Sequence, residues 1–570
     1  MASLPYAAGS SFHHRPYPPT VIKYGLKYSP GAVSCKATNG PATRRDLLLA
    51  GGLYGAAALT QSPPPPPALS EPIKAPDTTE CGPADLPVGA TPTNCCPPPT
   101  TRYKDFVPSA PTFQPPRFRP AAHLVDKAYV AKYERAVALM KALPADDPRN
   151  FMQQANVHCA YCDGAYEQVG FPELEIQVHN SWLFFPWHRY YLYFYEKILG
   201  KLIGDPTFGL PFWNWDNPAG MHLPAIYANP KSPLYDPLRN PNHQPPTLID
   251  LDYSGEDVTI PAKDQITRNL TIMYRQVVSN GKTPTLFLGS PYRTGDEPNP
   301  GPGSFESTPH GPVHLWTGDP SQPNGEDMGD FYSAARDPIF FAHHANIDRV
   351  WNVWRTFGGM RGDFSSRDWL DASFFFYDEN AEPVRVRVRD CLDNRKNMGY
   401  VYQDVGNPWV NSKPQLPPSA ARKTDQPVTT TTIEPTTSFP AALGSGRMKV
   451  EVKRTRKSRS KEEKEKEEEV LVVEGIEYDT QDFVKFDVCV NIGDDEEVTP
   501  VSAKLGGCFV NVPHGHKGDE GTKFKSWLRM GVNDLLEQLE LEGDDSIMVT
   551  LVPRSGGANI DGVSIEFRSN

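Results

Sequence analysis

A mainly α-helical domain followed by a small β-sandwich is the fold class the sequence predicts, and three observations predict it. Apolar residues recur at helical spacing in segments between about residues 148 and 354. From Val484 onward the apolar period changes to two. Between the two regimes, Lys413 to Gly446 is rich in Pro, Thr, Ser and Ala and carries neither period, which marks a linker. A chain of 570 residues is long enough for two or three domains plus processed segments.

The N-terminal 70 residues read as targeting sequence. No Asp or Glu occurs in the first 43 positions, while Arg15, Lys23, Lys27 and Lys36 stand among small and hydroxylated residues, a plastid-transit composition. Arg44-Arg45-Asp46-Leu47-Leu48-Leu49 and the apolar stretch to Leu59 then resemble a twin-arginine signal, with a proline run and Ala68-Leu69-Ser70 after it. That stretch is Gly- and Ala-rich and shorter than the ~18–20 residues a bilayer requires, so no stable membrane span is expected. The tandem address points to the thylakoid lumen of a plant chloroplast. Acidic residues outnumber basic ones 69 to 57, which leaves no basic field for nucleic acid.

Residues 71–412 read as one globular domain, and its histidines carry the chemistry. After Asp147-Pro148, Phe151, Ala155, His158 and Cys162 share one stripe of a helix, which aims His158 into the core. A second helix opens at Pro186 with Trp187, Tyr190, Tyr191 and Phe194 on its apolar face and His188 in its first turn. His179 precedes that proline and must come from a loop, where something else has to hold it. In Thr308-Pro309-His310-Gly311-Pro312-Val313-His314 the two histidines stand one helical turn apart. Gly311 occupies the place where a zinc protease needs its glutamate, so that reading fails. A third helix opens at Asp337-Pro338 with Phe340, His344, Ile347, Trp351 and Trp354 on one stripe, which favours His344 over His343. Two sets of three neutral imidazoles suit copper and tolerate zinc, and three ligands per metal leave a position open for catalysis.

From Cys81-Gly82-Pro83-Ala84-Asp85-Leu86-Pro87 through His344-Ala345-Asn346-Ile347-Asp348-Arg349, the chain resembles plant polyphenol oxidases of the catechol oxidase type, which are type-3 dinuclear copper proteins. Asp368-Trp369-Leu370 and Lys485-Phe486-Asp487-Val488 resemble further family signatures, so the likeness spans nearly the whole sequence. It implies that His158, His179 and His188 hold a first copper ion and that His310, His314 and His344 hold a second. It also implies a thioether joining Cys162 to His179, which would restrain the loop histidine. The implied disulfides are Cys81 with Cys96 and Cys95 with Cys159. Phe331 matches an aromatic lid over the second copper, and Glu306 a water-holding carboxylate. Gly311 and Ala345 occupy the positions after the first and third histidines of the second site. Asp348 either orients His344 or pairs with Arg349.

The expected activity is oxidation of ortho-diphenols to ortho-quinones with reduction of dioxygen to water. Small phenols and dioxygen are then the partners. Because neither Gly311 nor Ala345 is polar, hydroxylation of monophenols is expected to be weak; a tyrosinase with full monophenolase activity is the alternative. A haemocyanin-like dioxygen carrier would share the copper pair, but the organelle leader argues against it.

Residues 447–570 read as a β-domain, and the resemblance implies that it shields the site and keeps the full-length chain latent. Met448-Val450-Val452, Val484 to Ile492, Val549 to Val552 and Val563-Ile565-Phe567 read as strands, with a short helix near Asn533. Lys453 to Glu469 reads as a solvated loop or short exposed helix. His514-Gly515-His516 reads as an exposed turn rather than, as the alternative, a segment that touches copper, and the sequon at Asn269 reads as unused.

Overall fold

A computed structural model describes residues 71–108, 115–416, 434–516 and 523–569. The targeting segment 1–70 lies outside the described residues, as does 417–433 of the linker. Among the described residues no helix is long and apolar enough to cross a membrane.

The helical domain is built around Phe184–Ile203, which is buried on almost every side from Phe184 to Glu196. A helix that is apolar all round can only lie at a centre. It ends at Gly204, whose φ of 67° is the left-handed conformation that glycine takes without a Cβ penalty. Lys127–Lys141 packs on it through Tyr133, Ala136, Val137 and Met140, a single stripe at helical spacing. Ile339–Thr356 packs on it as well, and Phe151–Cys162 joins through Lys127–Lys141. Asn150 caps Phe151–Cys162 by accepting from the Met152 N–H at 2.8 Å, so this helix begins three residues after Pro148. The second histidine helix begins two residues before Pro186. Trp369 of the Asp-Trp-Leu tripeptide is buried and donates to the Trp182 carbonyl at 3.0 Å, which fixes the chain just before that helix.

Disulfides join Cys81 to Cys96 and Cys95 to Cys159, so the neighbouring cysteines reach separate partners and the second bridge ties the N-terminal segment to the Phe151–Cys162 helix.

Asp348 takes neither of its two expected roles. Its carboxylate receives Arg189 Nε at 2.6 Å, Arg119 Nη1 at 3.4 Å and the hydroxyls of Tyr400 and Tyr402, both at 2.6 Å. Arg349 pairs with Asp216 at 2.5 Å instead. Burial would raise the Asp348 carboxyl, but Arg189 and Arg119 outweigh it and hold the group below the usual carboxylate range. The network fastens the Ile339–Thr356 helix to the central helix. Asp348→Ala leaves two buried guanidinium groups without this partner and should cost about 3–5 kcal/mol of stability. Denaturant unfolding of the full chain measures this, and an unchanged midpoint would show that the network adds nothing.

The C-terminal domain is a two-sheet sandwich. One sheet orders Leu505–Asn511, Val484–Val490, Ser546–Ser555 and Met448–Lys453. The other centres on Glu468–Tyr478, which pairs with Phe524–Gly531, Ala558–Ile560 and Gly562–Arg568. Phe486, Val488, Val549 and Leu551 of the first meet Leu471, Val473 and Ile476 of the second in one core. A six-residue exposed helix, Lys461–Lys466, and the Asn533–Gln538 helix complete it.

Two expectations change here. Ala441–Leu443 is a strand paired with Ala558–Ile560, so the end of the 413–446 linker belongs to the sandwich; three residues are too few to display a period. Val484–Val490 is buried at every position rather than at alternate ones. Its outer face is not solvated, because it is seated on the helical domain: Lys485 Nζ reaches the Asp252 carboxylate at 2.8 Å.

Candidate metal centre

Six of the eight buried histidines of the helical domain form two trios. His158, His179 and His188 have ring centroids 5.1–5.8 Å apart. His310, His314 and His344 are 4.6–5.5 Å apart. The trios meet where His188 and His344 stack at 4.2 Å with planes 8° apart, and His179 faces His310 at 5.9 Å.

A shared hydrogen-bond pattern fixes the tautomers. In four of the six rings Nδ1–H donates to a backbone carbonyl: His158 to Phe331 at 2.8 Å, His188 to Phe184 at 2.8 Å, His310 to Glu306 at 3.1 Å and His314 to Met328 at 2.9 Å. A carbonyl can only accept, so in each neutral ring the proton stands on Nδ1 and Nε2 is a bare lone pair. The Nε2 atoms of His158, His179, His188 and His310 are buried without a hydrogen-bond partner among the described residues. His314 Nε2 lies 3.3 Å from His344 Nε2. Buried bare nitrogens converging in this way are costly unless a cation satisfies them, so the donor set fits a bound metal. Burial also keeps the rings neutral, as ligands must be, with His158 pushed down to about 3 and His314 to about 4.

Loop residue His179 is held by Gln177, which sequence reasoning missed. The Gln177 side chain accepts from the His179 backbone N–H at 2.9 Å and lies 3.3 Å from its Nδ1, while its amide donates to the Cys162 carbonyl at 2.8 Å. Only the i, i+2 spacing of Gln177 and His179 could have signalled this. Cys162 itself is buried, and burial pushes its thiol up.

Glu306 connects the trios. Its Oε1 accepts from the Asn180 N–H at 2.6 Å, next to His179, while its carbonyl holds His310. Burial pushes its carboxyl up. Phe331 lies nearest the first trio rather than over the second, with its ring 3.9 Å from His179 and 6.3 Å from His314. Ala345 is buried beside His344. Gly311 faces the sandwich: a Cβ there would stand 3.0 Å from Val510 Cγ1 and 3.2 Å from Val512 Cγ2.

His514 is not on an exposed turn. It is buried and stacks on the outer face of Phe331 at 5.1 Å, so that Phe331 lies between it and His179. The segment is pinned because Phe331 N–H donates to the Pro513 carbonyl at 3.2 Å and Gly515 N–H to Asp163 at 3.0 Å. The reversal comes from domain docking, which Gly and His in a short polar run do not announce. His516 is buried against Phe524. Asn269 is also buried, its amide donating to the Ile249 carbonyl at 2.7 Å, so this fold leaves no room for a glycan on that nitrogen.

A helical core that converges two histidine trios fits the tyrosinase-type copper class. Family models agree: the common central domain of tyrosinase matches residues 148–356, the polyphenol oxidase middle domain 363–415, and the chloroplastic polyphenol oxidase C-terminal domain 439–567. The chain is 58% identical to the chloroplastic polyphenol oxidase of Malus domestica, across 94% of this chain and 92% of that one. It is 52% identical to aureusidin synthase of Antirrhinum majus, across 91% and 93%. The solved structure of latent apple tyrosinase superposes with a TM-score of 0.78 at 60% identity, covering 82% of this chain and all of that one. The chain belongs to the plant polyphenol oxidase family.

Proposed function

We propose that this protein is a catechol oxidase, which converts ortho-diphenols to ortho-quinones while dioxygen is reduced to water, at a pair of copper ions. The observation that carries this reading is the set of buried, bare Nε2 atoms in two trios. His158, His179 and His188 would hold one ion, and His310, His314 and His344 the other. Copper bound there supplies the electron transfer between dioxygen and the phenol. The chain's own residues orient and exclude: backbone carbonyls set four of the six imidazoles, Gln177 holds the His179 loop, and Phe331 walls the site beside His179. Copper analysis with a catechol assay tests the reading, and a protein that binds fewer than two coppers or forms no quinone would overturn it.

The thioether between Cys162 and His179 belongs to this proposal. Gln177 supports it by tying the His179 loop to the Cys162 carbonyl. Cys162→Ser should fold and bind copper, with turnover changed by roughly 10–100-fold, the usual range for groups that orient a ligand. Peptide mapping should find the pair joined with two hydrogens missing. An alkylatable Cys162 in active enzyme would refute the bond.

Weak monophenol hydroxylation also belongs here. Gly311 offers no amide to hold a base-acting water, and a monophenol with a pKa near 10 remains protonated without one. Gly311→Asn should raise the ratio of monophenol to diphenol turnover. The assay is made after release of the C-terminal domain, since the added side chain would press on Val510 and Val512. Efficient tyramine hydroxylation by the unaltered protein would sink the idea.

The 1–70 segment, with relatives named chloroplastic, supports delivery to the chloroplast, and its twin-arginine part to the thylakoid lumen. The catalytic unit is taken as 71–412 and the shield as 447–570, with the Ala441–Leu443 strand added to the shield through its pairing with Ala558–Ile560.

A further inference from the structure

The second trio has a fourth imidazole beside it. His343 is fully buried, and one ring nitrogen from each of His310, His314, His343 and His344 lies within 4.8 Å of the others. Its ring is nearly parallel to His310 at 5.4 Å and edge-on to His314 at 5.0 Å. What separates it from the others is the direction of one hydrogen bond. Trp215 Nε1 lies 3.1 Å from His343 Nδ1. An indole N–H can only donate, so His343 Nδ1 is the acceptor and its proton stands on Nε2. This is the opposite tautomer to His158, His188, His310 and His314. Neither ring nitrogen of His343 then offers a free lone pair.

His344 is the trio member that such a neighbour would threaten, because its Nδ1 has no partner among the described residues and no carbonyl holds its ring. Trp215 is itself well placed to hold the neighbour back. The Trp213 N–H donates to the Ala342 carbonyl at 2.9 Å, which ties the tryptophan loop to the turn just before His343.

We propose that Trp215 locks His343 in its non-ligating tautomer and so keeps the second copper at three imidazoles with one position open. The inference rests on the copper reading above. A site closed by a fourth imidazole is structural rather than catalytic in character, since the exogenous ligand loses its place. Trp215 and His343 are thus positioning residues that act through the ligand set.

The test uses full-length, copper-loaded protein. Copper per chain and the imidazole count per copper from X-ray absorption are measured alongside catechol turnover. Trp215→Phe frees His343 Nδ1, and the expected result is unchanged copper, a raised imidazole count and turnover lowered by roughly 10–100-fold, the range typical when a group that orients a metal site is lost. Adding His343→Leu to Trp215→Phe removes the intruding ring, and should return the imidazole count to that of the unaltered protein and restore most of the turnover. A structural role alone predicts that the double variant is worse than the single. That outcome, or an imidazole count unmoved by Trp215→Phe, overturns the lock. Failure of the unaltered protein to bind copper would instead overturn the reading beneath it.

Discussion

His188→Ala should lower catechol turnover by roughly 10³-fold, since losing several kcal/mol of metal-borne stabilisation costs a factor of ten for every 1.4 kcal/mol. His188 sits at the seam of the trios, stacked on His344 at 4.2 Å and clamped through Nδ1 to the Phe184 carbonyl. Alanine there leaves the first site two imidazoles, and the stack that sets the spacing of the two sites disappears. The other five positions should behave similarly, because each supplies one nitrogen of a three-nitrogen set. Copper analysis and turnover at saturating catechol are measured together, with the unfolding midpoint as the control for folding. A His188→Ala protein with normal copper and normal turnover would remove that residue from the site.

Release of the C-terminal sandwich should raise the activity of the full-length chain on the order of 10–100-fold, the factor given by a docking preference of about 1.4–2.7 kcal/mol for the closed arrangement. The seat is extensive and polar. Lys485, fully buried, is bound to the Asp252 carboxylate; Arg275 donates to the carbonyls of Pro500 and Ser502, and Asn280 to that of Gly506. Ser307, three residues before His310, donates to the Cys508 carbonyl at 3.2 Å. The sandwich therefore rests on the segment that carries the second trio, with His514 over Phe331. Cutting the Pro/Thr-rich linker, where composition favours proteases, or adding mild detergent should raise turnover and leave copper per chain unchanged. Lys485→Met should do the same in part, because the half-buried Asp252 carboxylate loses its ammonium partner at the seat. Full activity in the intact chain would contradict the shield.

How much of this was legible in the sequence depends on the range of the interaction. The stripe that aims His158 inward and the one-turn spacing of His310 and His314 are local, and both were read correctly. The preference for His344 over His343 is not decided by burial, since both are fully buried; the Trp215 hydrogen bond proposed to separate them lies across 128 positions of chain. The family resemblance named Glu306 and Phe331, yet it put Phe331 over the second copper, whereas the ring lies 3.9 Å from His179.

Sequence by itself determined the helical core, the sandwich after it, the six histidines and the copper chemistry they suit, because periodicity and ligand type are properties of short segments. The tertiary structure alone decided what Asp348 binds, which tautomer His158, His188, His310, His314 and His343 adopt, and that His514 and the outer face of Val484–Val490 are buried. Each of these depends on groups brought together from distant parts of the chain, and a polar residue that faces a docked domain has the same local pattern as one that faces water.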